Sequence, residues 1–263
     1  MNLRLAGKTA FIAGASSGLG YAVAKGLLME GCKVVINSLT EDKLKLATDK
    51  LKRESGGSIF SIPGDVTDSK TPDRLIGKSV ELLGGLDLLV TNAGGPPPGS
   101  FESFDDNAWE KAIDLSFISH VRLIRAALPH LRQSLAASVL TITSYSVKQP
   151  IPNLVLSNSI RSATIGLTKT LALEVGKEGI RFNSILPGWT ETERVTELME
   201  TRAEQKGTTL EEEISLQSRE SPLARMATPE EFANAAVFLL SPAASYITGV
   251  MLTVDGGMYK GTY

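Results

Sequence analysis

Short apolar runs separated by longer helical patterns constrain the fold of this chain more than any other feature. The runs cover residues 9–13, 33–37, 59–63, 86–91, 138–143, 181–186 and 251–254. Several are continuously apolar instead of alternating, as expected for strands covered on both faces. Between them the pattern predicts helices over 19–30, 41–54, 72–83, 105–135, 154–176 and 229–240. The last opens with Thr228-Pro229-Glu230-Glu231, an N-cap threonine followed by proline and early acids. This alternation implies an α/β fold: a doubly wound parallel sheet of about seven strands, right-handed crossovers, and helices on both faces. With 263 residues, 42% of them hydrophobic, the chain can build one sizeable domain over 1–263.

Two segments interrupt the alternation. Gly94-Gly95-Pro96-Pro97-Pro98-Gly99 follows a strand and reads as a stiff active-site loop. Residues 191–219 are charged, helix-prone and poor in large apolar side chains. They are expected to form a mobile substrate lid, the alternative being a solvated helical excursion.

The first strand runs into Gly14-Ala15-Ser16-Ser17-Gly18-Leu19-Gly20, which opens the first helix. Glycines there allow a tight turn, let backbone approach a pyrophosphate, and bring helix close to strand. The helix N-terminus then faces the phosphates with its positive end. A dinucleotide site is the expectation, with Gly14, Ser16, Ser17, Gly18, Leu19 and Gly20 at its centre.

In these motifs the chain resembles the short-chain dehydrogenase/reductase family over essentially its whole length. Gly14, Gly18 and Gly20 match the family's G-x-x-x-G-x-G, and Asp65-Val66 looks like its adenine-holding pair. Thr91-Asn92-Ala93-Gly94 resembles its N-N-A-G. Pro187-Gly188-Trp189-Thr190-Glu191-Thr192 is similar to the segment that cradles the nicotinamide carboxamide. Ser245-Tyr246-Ile247-Thr248-Gly249 and Val254-Asp255-Gly256-Gly257 match the C-terminal signature. The resemblance implies a single Rossmann-fold domain with a nicotinamide cofactor. Its substrate would be a small carbonyl or alcohol compound, of the 3-oxoacyl thioester kind or a similar ketone. Family members pair long helices across a two-fold axis. Residues 105–135 and 154–176, apolar on more than one stripe, therefore suggest a homodimer or homotetramer.

The second strand ends Ile36-Asn37-Ser38-Leu39, without the acid that would repel a 2′-phosphate. Small, neutral Ser38 favours NADP(H) over NAD(H), although no arginine follows it and Ser17 is not basic.

The resemblance breaks down among the reacting groups. The family uses a serine on the substrate carbonyl, a tyrosine for the hydroxyl proton, a lysine that lowers the tyrosine pKa and holds the nicotinamide ribose, and an asparagine in a water relay. Aligning Gly166-Leu167-Thr168-Lys169 with the family's G-L-T-K puts Ser157 at the tyrosine position and Arg161 at the lysine position. Ser116 stands for the asparagine, and only Ser144 is retained. Tyrosine has a pKa near ~10 that a cation can lower, whereas a serine hydroxyl is a far weaker acid. Arginine stays protonated but can still hold ribose hydroxyls and an oxyanion. Three proton donors remain open: Tyr145 next to Ser144, Lys148 in the following loop, and water held by Ser144, Ser157 and Arg161, which the residue chemistry favours. The alternative to an oxidoreductase with an atypical donor is a nucleotide-binding sensor or partner subunit without dehydrogenase activity.

The rest of the composition narrows the setting. A net charge of −2 gives no electrostatic case for nucleic acid or an anionic membrane. No run is long enough to span a bilayer, and the apolar run 9–13 is too short for a signal segment. The lone Cys32 leaves no internal disulfide and fits a reducing cytoplasm. His120 and His130 have no Cys or acidic cluster beside them, so no metal site is expected.

Overall fold

The computed structural model describes residues 1–262. Strands form at all the expected places: β1 Thr9–Ile12, β2 Lys33–Ser38, β3 Ile59–Pro63, β4 Leu88–Thr91, β5 Ser138–Ile142, β6 Arg181–Pro187 and β7 Met251–Val254. All neighbours pair in parallel, in the order β3-β2-β1-β4-β5-β6-β7. The chain works outward from β1 to β3, then returns to start β4 on the other side of β1. The crossovers on the two sides diverge there, leaving a crevice beyond the carboxyl ends of β1 and β4.

The apolar runs explain the layering. β1, β4 and β5 are buried along their length, while edge strands β3 and β7 are mostly half-exposed. Side chains alternate between faces. Ala10 and Ile12 join the core under helices α1 (Gly18–Met29), α2 (Glu41–Ser55) and α9 (Pro229–Leu240). Phe11 and Ala13 join the core under α3 (Thr71–Leu83), α5 (Ser119–Leu131) and α6 (Val155–Val175). Phe11 and Phe232 are fully enclosed on opposite faces. Truncating either to alanine would cost about 3–5 kcal/mol through lost transfer energy and the cavity left behind. Thr228 and Glu231 close the capping box that starts α9, with the threonine hydroxyl accepting from Glu231 N at 3.3 Å.

One expectation about helices changes. Residues 105–135 are not one α-helix. They form α4 (Asp106–Ile113), a π-helical turn (Asp114–Ile118) and α5, which stops at Leu131. The π turn takes up an extra residue, and hydroxyls support it: Ser119 Oγ donates to Leu115 O at 2.6 Å and Thr164 Oγ1 to Ser116 O at 2.7 Å. After Leu131 the chain is pulled away by Ser134 Oγ, which donates to Asp87 Oδ1 at 2.5 Å. The charged segment 191–219 folds as two helices, α7 (Glu193–Lys206) and α8 (Leu210–Ser218). Buried Glu213 ties them together by accepting from Lys206 Nζ at 2.8 Å and Thr208 Oγ1 at 2.9 Å. Met199 is fully buried against Tyr145, Leu186, Trp189, Met226 and Met258, so the base of the segment is packed. No helix among the described residues is long and apolar enough to cross a membrane.

Candidate active site

The glycine turn takes its shape from backbone that other residues adopt poorly. Gly14 has φ +59°, and a β-carbon there would meet Asn92 Nδ2 at 2.8 Å. A side chain on Gly20 would run into the Gly14 carbonyl. Asn92, just past β4, donates Nδ2 to Gly14 O at 2.9 Å and locks the two loops across the crevice. Gly94 has nothing within 4 Å on its β-carbon side, so the next loop leaves open space. This cradle fits a dinucleotide pyrophosphate at the N-terminus of α1.

A cavity of about 310 Å³ begins at this turn and runs to the end of β6. It gathers Gly14, Ser17, Gly18, Leu19, Asn92, Ala93, Gly94, Ser144, Tyr145, Ser157, Arg161, Pro187, Gly188, Trp189, Thr190 and Thr192 in one lining. Ser16 and Ser38 lie outside it, with their hydroxyls 2.9 Å apart. Gly20 and Val66 are packed in the interior and do not line it. Asp65 also lies outside, its Oδ1 accepting from Thr67 N at 2.9 Å and Thr67 Oγ1 at 2.7 Å. Ser116 is buried away from the cavity. Its hydroxyl has no partner among the described residues, and Thr164 takes its carbonyl.

Strand β5 ends at Ile142, and Ser144 caps a short 3₁₀ turn by accepting from Ser146 N at 3.1 Å. That turn sends Tyr145 into the apolar cluster with Leu186, Trp189 and Met199. Burial, the largest influence, raises the Tyr145 phenol above its ordinary pKa. Ser157 and Arg161 stand one helical turn apart near the start of α6, so both face the cavity. The Ser157 hydroxyl makes no hydrogen bond among the described residues. Arg161 is buried and, among the described residues, donates only through Nη1, to Thr143 O at 3.3 Å and Ile142 O at 3.4 Å. Burial lowers its guanidinium to about 10, which still leaves it charged at neutral pH. The nearby Thr143 hydroxyl is buried without a partner among the described residues. The cavity wall thus holds a cation and two serine hydroxyls around one space.

Other useful residues escaped the sequence pattern. His120 Nδ1 lies 2.7 Å from Thr91 Oγ1 in the interior. Burial, followed by the charge of Arg161, pushes the imidazole down to about 3, so it is neutral at physiological pH. Across the glycine turn a recess of about 360 Å³ is lined by Ser16, Ser17, Gly18, Tyr21, Lys43, Lys50 and Glu193, among others. Lys43 and Lys50, seven residues apart, share a helix face. That spacing was visible, but the approach of α2 to the turn was not. The lone Cys32 donates Sγ to Leu5 O at 3.4 Å, and burial raises it to about 12, marking it as packing.

A family model described as enoyl-(acyl carrier protein) reductase matches residues 14–259. The 7alpha-hydroxysteroid dehydrogenase of Escherichia coli is 32% identical over 256 residues, covering 97% of this chain and 96% of that protein. L-Sorbose reductase from Gluconobacter frateurii, solved with NADPH and L-sorbose, superposes with a TM-score of 0.95 at 32% identity, covering 99% of this chain and 100% of the other. An NADPH-bound short chain oxidoreductase from Pseudomonas aeruginosa PAO1, described as containing an atypical catalytic center, gives 0.89 at 29% identity, with 97% and 98% covered. The chain belongs to the short-chain dehydrogenase/reductase family. It is an oxidoreductase that uses a nicotinamide dinucleotide to interconvert carbonyl and alcohol groups.

Proposed function

We propose that this chain is an NADP(H)-dependent carbonyl reductase or alcohol dehydrogenase whose hydroxyl proton travels through water instead of a tyrosine. The observation that carries this is the convergence of Ser144, Ser157 and Arg161 on one cavity that begins at the glycine turn. When bound, the nicotinamide supplies or removes the hydride. Ser144 holds the substrate oxygen, and Arg161 stabilises the negative charge that grows on it. Ser157, with no partner among the described residues, orients the water that exchanges the proton. Arg161 would also hold the nicotinamide ribose hydroxyls with its unused donors when the dinucleotide is bound. A positioned general acid is typically worth ~10²–10⁴ in rate, so water in its place predicts a slow enzyme rather than an inert protein. The nucleotide-sensor reading has no observation in its favour that this arrangement does not also explain.

The preference for NADP(H) rests on Ser38, on the Ser16–Ser38 contact and on the recess with Lys43 and Lys50. A 2′-phosphate placed there would meet two hydroxyls and two ammonium groups, though Glu193 lines the same recess. We read α7 and α8 as the substrate lid, hinged on the packed cluster below them. We also read the chain as a homo-oligomer of the cytoplasm. Phe101, Ile113 and Leu173 are large exposed apolar residues near or on α4 and α6, and a second copy would cover them. Light scattering should find a dimer or tetramer at micromolar concentration.

The test is stopped-flow absorbance at the NADPH band with ketones, 3-oxoacyl thioesters and quinones. Oxidation of NADPH by at least one carbonyl, lost in Arg161→Met, supports the reading. NADPH binding with no turnover of any member by the wild type, and none by Ser157→Tyr/Arg161→Lys, would move the conclusion to the sensor.

A further inference from the structure

A second cavity, of about 410 Å³, lies beside α7 and α8. It adjoins the cleft, because Tyr145, Ile151 and Trp189 line both. Its chemistry differs from that of the cleft. Arg202 and Gln217 come from α7 and α8, and Glu220 and Lys260 also line it.

Arg202 is held in an unusual way. Its guanidinium carbon stands 5.0 Å from the centre of the Trp189 ring. Nη1 donates to Gln217 Oε1 at 2.7 Å, and Gln217 is buried and fixed in turn by donating Nε2 to Glu220 Oε2 at 2.6 Å. Cations nearby in sequence pair with acids: Lys206 with Glu213 at 2.8 Å, Arg225 with Glu231 at 2.6 Å. Arg202 has no carboxylate within salt-bridge distance among the described residues. The nearby Glu213 carboxylate is already paired with Lys206 and accepts from the Thr208 hydroxyl. A half-buried guanidinium, stacked on an indole and anchored by a neutral amide, keeps donors free in a defined plane. That planar fork is the geometry that binds a carboxylate through two parallel hydrogen bonds.

We propose that the second cavity is a carboxylate subsite: the substrate of this enzyme is an oxo acid or hydroxy acid whose carboxylate docks on Arg202. The inference rests on the carbonyl–alcohol reading of the adjoining cleft. Charge selects a monoanion. Arg202 and Lys260 contribute two positive charges and Glu220 one negative, which leaves a single positive charge on the lining. A dianionic phosphate would exceed that single positive charge, and Glu220 would repel it more strongly than a monoanion. Trp189 connects the two sites, because its ring carries Arg202 on the second cavity while the residue also lines the cleft. A chain carrying the carbonyl and the acid would pass the wall formed by Tyr145, Ile151 and Trp189.

The test is calorimetric titration of the NADP⁺-loaded protein with 5-oxohexanoate and 7-oxooctanoate, each against its amide. Loading with NADP⁺ reads ketone binding without turnover. The expected result is at least tenfold tighter binding of one oxo acid than of its amide. In Arg202→Met that preference should fall below threefold with NADP⁺ affinity unchanged. Arg202→Lys should retain part of it, and it stands in if the methionine variant fails to fold. Equal binding of acid and amide by the wild type overturns the proposal, as does a preference that survives Arg202→Met, or no binding of any ligand. The same compounds are then offered with NADPH. An Arg202-dependent acid preference without turnover leaves the subsite standing and sinks the carbonyl-reductase reading. Turnover of neutral ketones without an acid preference does the reverse.

Discussion

The guanidinium of Arg161, buried in the cleft, and that of Arg181, half-buried at the end of α9, both lack a salt-bridge carboxylate among the described residues, and they are used in opposite ways. At the end of α9, Arg181 donates to Leu239 O at 2.6 Å, Leu240 O at 2.9 Å, Ser241 O at 3.0 Å and Ile247 O at 3.4 Å. The first of these are carbonyls that a helix leaves without partners at its C-terminus, where a positive charge is also favoured by the helix dipole. In the cleft, Arg161 makes two long bonds through one nitrogen. Burial lowers both groups to about 10, so desolvation does not distinguish them. Donor use does. Arg181 spends its donors on the fold, whereas Arg161 lines a cavity and makes no other hydrogen bond among the described residues.

The largest effect should come from Arg161→Met. Its hydrogen bonds are long and few, so the melting temperature should stay within about 3 °C of wild type, while turnover should fall about 10³-fold, roughly 4 kcal/mol. NADPH binding, read by calorimetry, should also weaken. A variant that unfolds while its remaining folded fraction keeps full activity would erase the contrast. Arg181→Met should do the converse. It strands several carbonyls at a helix end, at a cost of about 3 kcal/mol, or on the order of 6–12 °C in melting temperature for a domain of this size. NADPH affinity should not change. A loss of NADPH affinity in a variant that melts normally would show that the α9 end reaches the site.

This contrast also explains what could be read from the chain. The strands, the glycine turn and the α9 cap were legible because each depends on neighbours in sequence: continuous apolar runs, glycines at fixed offsets, Thr228 with Glu231. Arg181 was seen only as the start of a strand, since the carbonyls it serves lie about 60 residues away in sequence. The π turn at 114–118 was not legible, because one extra residue barely disturbs a helical stripe. Segment 191–219 read as a mobile lid, with a solvated excursion as the alternative, and its internal ties were hidden because periodicity cannot see Glu213 reaching Lys206 or Arg202 reaching Gln217 on a second helix. Ser157 and Arg161 were located through the family resemblance, from the register set by Gly166-Leu167-Thr168-Lys169. What sequence withheld was their surroundings: the donors Arg161 leaves unused, and the absence of a partner for Ser157 among the described residues.

A third experiment extends the contrast to the nucleotide end of the cleft. Ser38→Asp places a carboxylate beside Ser16, where it should repel a 2′-phosphate and accept from ribose hydroxyls. Calorimetry should find the NADPH-to-NADH preference reversed, with a change of about 30–100-fold from like-charge repulsion at close range. Wild-type protein that binds NADH more tightly would refute the starting preference. Ser157→Ala should have a smaller effect, a drop of about tenfold in turnover with NADPH binding near wild type, because one hydrogen bond to the relay water is lost. Ser157→Tyr/Arg161→Lys should raise ketone reduction and bring a pH–rate inflection below ~10, since the lysine charge favours the phenolate.

The smallest expected effect is the most discriminating. Tyr145 is the nearest tyrosine to Ser144 and lines the cleft, so it competes with water as proton donor. Its surroundings argue against it. The ring packs with Leu186, Trp189 and Met199, and burial raises its pKa when a donor working near neutrality needs it lowered. Glu220 and Asp255 add to that rise, with Trp189 and Arg202 opposing it. Arg161 is not among the groups that shift it. Tyr145→Phe should therefore keep turnover within about twofold, since the ring and its packing remain and a hydroxyl outside the relay contributes little. The comparison with Ser157→Ala decides the matter under one set of conditions. If Tyr145→Phe collapses turnover and Ser157→Ala is silent, the phenol carries the proton and the water relay is wrong. If Ser157→Ala costs tenfold and Tyr145→Phe almost nothing, the proton moves on the Ser144, Ser157 and Arg161 side of the cavity, where the unspent donors are.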